Sequence, residues 1–60
     1  MWKEIRAREA KVLMYDGNEY TVKDPVQMTI ESGVTFIEGR KERVLVQTQN
    51  IQVISFVPEA

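Results

Sequence analysis

From Val44 to Val57 the chain carries no glycine, no proline and no charge. The segment is rich in β-branched residues and includes Phe56. Such a run satisfies its backbone and buries its side chains best as sheet. Its centre, Gln47-Thr48-Gln49-Asn50, is polar and uncharged, which predicts two strands, Arg43 to Gln47 and Ile51 to Val57, meeting at a tight corner. The apolar phase changes inside the last strand: Ile51 and Val53 keep one phase, Ile54 and Phe56 the other. Either a bulge re-aims the chain or both faces are covered.

Partners for these strands are found upstream. Lys11 to Tyr15 and Glu19 to Lys23 flank Asp16-Gly17-Asn18, the strongest turn signal in the chain, which predicts a hairpin. Asp24-Pro25 stops the return strand, because Pro25 has no backbone donor and disfavours helix at Asp24. Val26 to Glu31 alternates cleanly and predicts a half-buried strand with Val26, Met28 and Ile30 inward. Ser32-Gly33 turns the chain into a strand from Val34 to Glu38, with Val34 and Phe36 inward and Thr35 outward. Ile37 breaks that pattern, which suggests a bulge or contact with a partner.

Residues 1–9 admit two readings. Trp2 and Ile5 share a helical face, Glu4 and Arg8 are spaced for a helical ion pair, and alanine, arginine and glutamate favour helix. A segment this short needs docking to stay helical. The preferred expectation is a short helix or irregular arm leading into a strand near Ala10. The alternative is one long strand from Ile5 to Tyr15. The chain then divides into an arm (1–9), a single β domain (10–57) and a tail (58–60). The fold class is all-β: a small, strongly bent antiparallel sheet of about five to six short strands, with room for a short N-terminal helix.

The last third resembles the second half of the Sm/LSm motif. That pattern has a short apolar strand, a small polar corner ending in Asn, and a strand beginning with Ile. Val44-Leu45-Val46, Asn50, Ile51, Ile54 and Ser55 fit it. Met14-Tyr15-Asp16-Gly17-Asn18 resembles the turn between the family's first two strands. The resemblance implies an SH3/Sm-like barrel that closes into a ring and binds single-stranded RNA. The chain departs from the pattern at three places. Gln47-Thr48 stands where Arg-Gly is usual, and that Arg helps hold the base; Val22 replaces the Gly that lets the second strand bend; and no equivalent of the nucleotide-reading Asp and Asn is evident. The resemblance covers about half of the chain, and fold alone does not carry function.

Sixty residues with no cysteine and no histidine leave few routes to stability or chemistry. A domain this small buries only ~60% of its unfolded surface and commonly recruits a disulfide, a metal or an oligomer interface. The first has no residues, and a zinc site would need carboxylates alone. A homo-oligomer is therefore expected, against the alternative of a well-packed monomer. Without His or Cys, no catalytic constellation is visible. Ser32 and Ser55 lack a nucleophile-elbow context, the carboxylates of Glu31 and Glu38 read as solvated surface, and Gly17, Gly33 and Gly39 are isolated turn residues rather than a phosphate loop. No enzyme, no cofactor and no metal is expected. The Lys- and Arg-rich start is unlike a signal peptide, no apolar run reaches membrane length, and the lack of cysteine fits the cytoplasm.

Net charge is −1, from eight basic and nine acidic residues. Two basic groups, Lys3, Arg6, Arg8 and Lys11 near the start and Arg40, Lys41 and Arg43 in the loop, are candidates for contacting the phosphates of RNA or single-stranded DNA if they converge, with Trp2 or Tyr15 stacking on bases. Interleaved Glu4, Glu9 and Glu42 favour the plainer reading of a solvated surface. Candidate oligomer or partner contacts are Trp2, Ile37, Gln47, Gln49, Asn50, Gln52 and Ile54. Phe36, Phe56 and Tyr20 are expected in the core, and Trp2 either caps the barrel or inserts into a neighbouring subunit. The first functional expectation is a self-associating module that binds a macromolecule, specifically RNA or single-stranded DNA. The alternative is a small protein-interaction, inhibitor or structural accessory protein, by analogy with those of phages and mobile elements.

Overall fold

A computed structural model describes residues 1–59. Seven strands follow one another: β1 (Trp2–Glu4), β2 (Glu9–Met14), β3 (Glu19–Lys23), β4 (Pro25–Glu31), β5 (Val34–Gly39), β6 (Arg43–Gln47) and β7 (Ile51–Val57). One turn of 3-10 helix, Thr48–Asn50, joins the last two. The strands form two antiparallel sheets, ordered β1-β4-β5-β6 and β3-β2-β7.

The turns have local causes. In the β2–β3 hairpin Gly17 takes φ +93°, and the Asn18 amide donates to the Asp16 carboxylate at 2.9 Å. Ser32 and Gly33 both have positive φ, the sign pattern of the tight turns that match strand twist. Between β3 and β4 the chain bends through Asp24, at φ +50°, and passes from one sheet to the other. Asp is among the few residues that tolerate this region. The bend thus needs no glycine at Val22, which is fully buried. The Asp24 amide donates to the Arg8 carbonyl at 2.9 Å, and the Asp24 carbonyl accepts from the Arg40 amide at 3.2 Å. Gly39 permits this crossing: a Cβ there would lie 2.6 Å from the Lys23 carbonyl oxygen and 2.7 Å from Val22 Cγ1.

The N-terminal segment is neither a helix nor part of a long first strand. Trp2 to Glu4 pair with β4 in the register Trp2↔Thr29, Lys3↔Met28 and Glu4↔Gln27, and residues 5–8 cross between the sheets as irregular chain. An i,i+4 pair offers a few tenths of a kcal/mol to a helix this short, whereas β4 offers a row of unpaired backbone groups. In the extended chain Glu4 meets Arg6 rather than Arg8, at 3.8 Å on the surface.

Ile5, Ala7, Ala10, Val12, Met14, Val22, Met28 and Ile37 form the core. β5 is turned over relative to the sequence-based expectation. Thr35 and Ile37 are 0% exposed, while Val34 and Phe36 lie half-buried on the other face. Both phases of β5 are apolar, so pairing decides: Ile37 stands opposite Met28 and Val44. The Thr35 hydroxyl is accommodated by the Thr48 hydroxyl at 2.7 Å. On β4, Met28 is buried and Ile30 packs on the core, but Val26 is exposed where the register shifts between Pro25 and Gln27.

Phe56 and Tyr20 are not core residues either; each is 41% exposed. Both lie on the inward face of the three-stranded sheet, Phe56 opposite Ala10 and Tyr20 opposite Val12. The first sheet packs mainly against β3 and leaves β7 less covered. β7 carries a bulge, so Ile51 and Ile54 both face the core while Val53, expected in phase with Ile51, is turned to solvent. Val53 pairs with Leu13 and Ile51 with Met14, so Gln52 is the extra residue.

Candidate interaction surfaces

Three surfaces bring together exposed side chains from distant parts of the chain. The first is made by two of the four edge strands, β6 and β7. β7 is bonded to β2 on one side and β6 to β5 on one side, and among the described residues no strand pairs with their other sides. β7 is uncharged along all seven residues and shows Val53 and Phe56 to solvent. Folded proteins usually guard such an edge with charge or proline; here the Gln52 bulge and Pro58 are the local interruptions.

The second surface is a cleft of about 370 Å³ between the N-terminal crossing, the Asp24 bend and the β5–β6 loop. Arg6 and Arg40 both line it, so one residue from each basic group does converge. Glu4, Asp24 and Glu59 line it as well, and carboxylates outnumber guanidiniums there. The remaining basic residues are dispersed. Lys11 sits on the outer face of the second sheet opposite Thr21 and Ser55, and Lys3 is on the edge strand β1. Lys41 and Arg43 border the loop with Glu38 and Glu42, and Arg8 is exposed beyond the cleft lining. The Glu42 carboxylate accepts from the Lys23 amide at 2.6 Å.

The third surface is the outer face of the four-stranded sheet. Trp2, Thr29, Phe36 and Leu45 stand in one row across β1, β4, β5 and β6. Trp2 is 62% and Leu45 66% exposed. Trp2 therefore does not cap the core. Phe36, expected in the core, is half-buried on this outer face, and Leu45 is exposed; the doubly apolar phase of β5 and β6 is the sequence signal of apolar side chains on both sides of a sheet.

The candidate partner residues do not share one surface. Ile37 is buried in the chain's own core and presents nothing to a partner. Gln47, Gln49 and Asn50 form an exposed corner, with Gln49 Nε2 and Asn50 Nδ2 donating to Gln47 Oε1 at 3.3 and 3.4 Å. Gln52 is exposed in the bulge, and Ile54 is half-buried against the core. Glu31 and Glu38 stand opposite Val34 and Gln27 rather than each other. Among the described residues, no three Asp or Glu side chains gather as a metal would require, and no helix is long and apolar enough to cross a membrane.

These features define a small, strongly bent all-β domain whose two open sheets end in the edge strands β1, β6, β3 and β7, with a row of apolar side chains on one outer face. Comparison with protein-family models, with curated proteins and with solved structures finds no match for this chain.

Proposed function

We propose that the chain is a non-enzymatic β module that self-associates through its sheet edges and binds a macromolecule in the cytoplasm. The observation that carries self-association is the free β7 edge, seven uncharged residues long with Val53 and Phe56 in solvent. β6 and β7 are the last strands of their sheets, so β6 of one copy can add to β7 of the next. Such a head-to-tail contact closes into a ring or runs on as a fibre. The same strands carry the Sm-like sequence pattern, and the absence of cysteine suits a reducing compartment.

Light scattering coupled to size-exclusion chromatography tests this directly. The expected result is one closed oligomer of fixed mass, at low and at high salt, with β7 amides protected from exchange. A clean monomer at high protein concentration with fast-exchanging β7 amides sinks the proposal.

A second reading, binding of single-stranded RNA or DNA, is favoured by the meeting of Arg6 and Arg40 in one cleft. It ranks behind a protein partner because Glu4, Asp24 and Glu59 line the same cleft. It predicts that affinity for a single-stranded oligonucleotide falls steeply with salt and is lost in Arg6→Glu and Arg40→Glu. Salt-independent or absent binding removes it.

A further inference from the structure

We propose that Asp24 is a strained hinge, through which the chain exchanges residues 1–23 with a second copy to form a domain-swapped dimer. The exchange reuses the chain's own internal contacts and needs no sheet edge, so it is independent of edge pairing.

One residue carries the chain between the sheets here. β3 ends at Lys23, β4 begins at Pro25, and only Asp24 lies between them. Its φ of +50° is in the left-handed region, where an L side chain crowds the following carbonyl. Asp tolerates this better than most residues, but glycine alone is free of the cost. Proline follows, and a residue before proline is driven toward extended backbone. Asp24 is thus held bent where its own neighbour favours a straight chain. Ser32 also has positive φ, but it sits beside Gly33 in a turn between adjacent strands of one sheet. Short hinges under strain are the ones that open into swapped dimers.

Straightening Asp24 merges β3 and β4 into one strand from Glu19 to Glu31. The chain then parts into an arm, β1 to β3, and a body, β4 to β7. A second copy supplies every contact between them equally well. β1 pairs with β4, β2 pairs with β7, and β3 packs on β5 and β6. Most of the buried cluster, from Ile5 to Val22, belongs to the arm, while Met28 and Ile37 belong to the body. Neither part has a closed core alone, so an arm released from one body is stabilised by another. The hinge itself gives up little. The Asp24 amide donates to the Arg8 carbonyl, within the arm, and moves with it. The Asp24 carbonyl loses one bond, from the Arg40 amide at 3.2 Å. An arm leaves only when the core opens, so dilute folded monomers stay monomers. The dimer forms where chains fold together at high concentration.

A disulfide between arm and body reports the exchange. Met1 and Ile30 exchange both backbone bonds, which makes Glu4 and Gln27, three residues along, a closely spaced non-hydrogen-bonded pair. That spacing suits a disulfide. The chain with Glu4→Cys and Gln27→Cys has no other cysteine. It is refolded from urea at millimolar concentration, and the dimer peak is oxidised. The expected dimer stays covalent on a non-reducing denaturing gel and has no free thiol. Edge pairing would leave each disulfide within its own chain, and the gel would show monomers. Asp24→Gly should lower the dimer-to-monomer ratio at least tenfold, because it removes strain from two monomers for each dimer. Asp24→Val, with a branched side chain, should raise the ratio. Ser32→Gly relaxes a positive φ inside the body and should leave it unchanged. Val53→Lys, which blocks the β7 edge, should leave the refolded dimer intact. A dimer that runs as monomer on that gel, a ratio that Asp24→Gly leaves unchanged, or refolding to monomer alone overturns the proposal.

Discussion

At the scale of single residues, two positions are decided by what they touch. Gly39 has no Cβ because the backbone of Lys23 and the side chain of Val22 occupy that space. Gly39→Ala is expected to lower stability by about 1–3 kcal/mol, the range for overpacking, as a fall in urea midpoint at constant m-value. Thr35 is the buried polar residue, and its hydroxyl depends on that of Thr48. Thr35→Val should cost about 1 kcal/mol, because it leaves Thr48 without its partner. The double variant with Thr48→Val should recover most of that loss in the same urea titration, since removing both partners leaves no orphaned hydroxyl.

At the scale of elements, the strands differ in what holds them. β1 has three residues, all exposed, bonded only to β4. Its amides should exchange fastest of any strand, which hydrogen exchange checks. β7 is held by β2 alone and offers its other side. A lysine on an edge strand is a common guard against pairing. Val53→Lys, at an exposed position, should therefore abolish self-association in light scattering while changing monomer stability by no more than about 0.5 kcal/mol. If the oligomer survives this variant, β7 is not the contact.

At the scale of the whole molecule, a small core is enclosed by two sheets that do not fully cover one another. Among the described residues eight form the buried apolar cluster, and Phe56, Tyr20, Trp2 and Leu45 remain outside it. Assembly would bury some of this surface and stabilise the folded chain by mass action. The melting temperature should therefore rise with protein concentration. A melting temperature that stays constant over a hundredfold dilution, about 3 kcal/mol of chemical potential at RT ≈ 0.59 kcal/mol, counts against assembly.

The strands from β2 onward and the turns between them could be read in the sequence because their causes lie within a few residues, whereas β1 could not, since it exists by pairing with β4. The Asp16-Gly17-Asn18 hairpin, the Ser32-Gly33 turn, the Asp24-Pro25 break and the uncharged run ending at Val57 each carry their own signal. A bulge in β7 is one of the two readings that the change of apolar phase allows, and its place at Gln52 is set by the pairing with β2. The facing of β5, the pairing of Trp2 with Thr29 and the row ending in Leu45 were not legible, because each depends on register between segments far apart in the chain. A strand with apolar residues in both phases has no inward side of its own. A shift of one residue in pairing would exchange its faces, and only the packed partner strands choose between them. Local chemistry thus determined where the chain is extended from β2 onward and where it turns. Tertiary pairing decided that Ile37 is core, that Phe56 is not, and that Trp2 stands in solvent opposite Thr29.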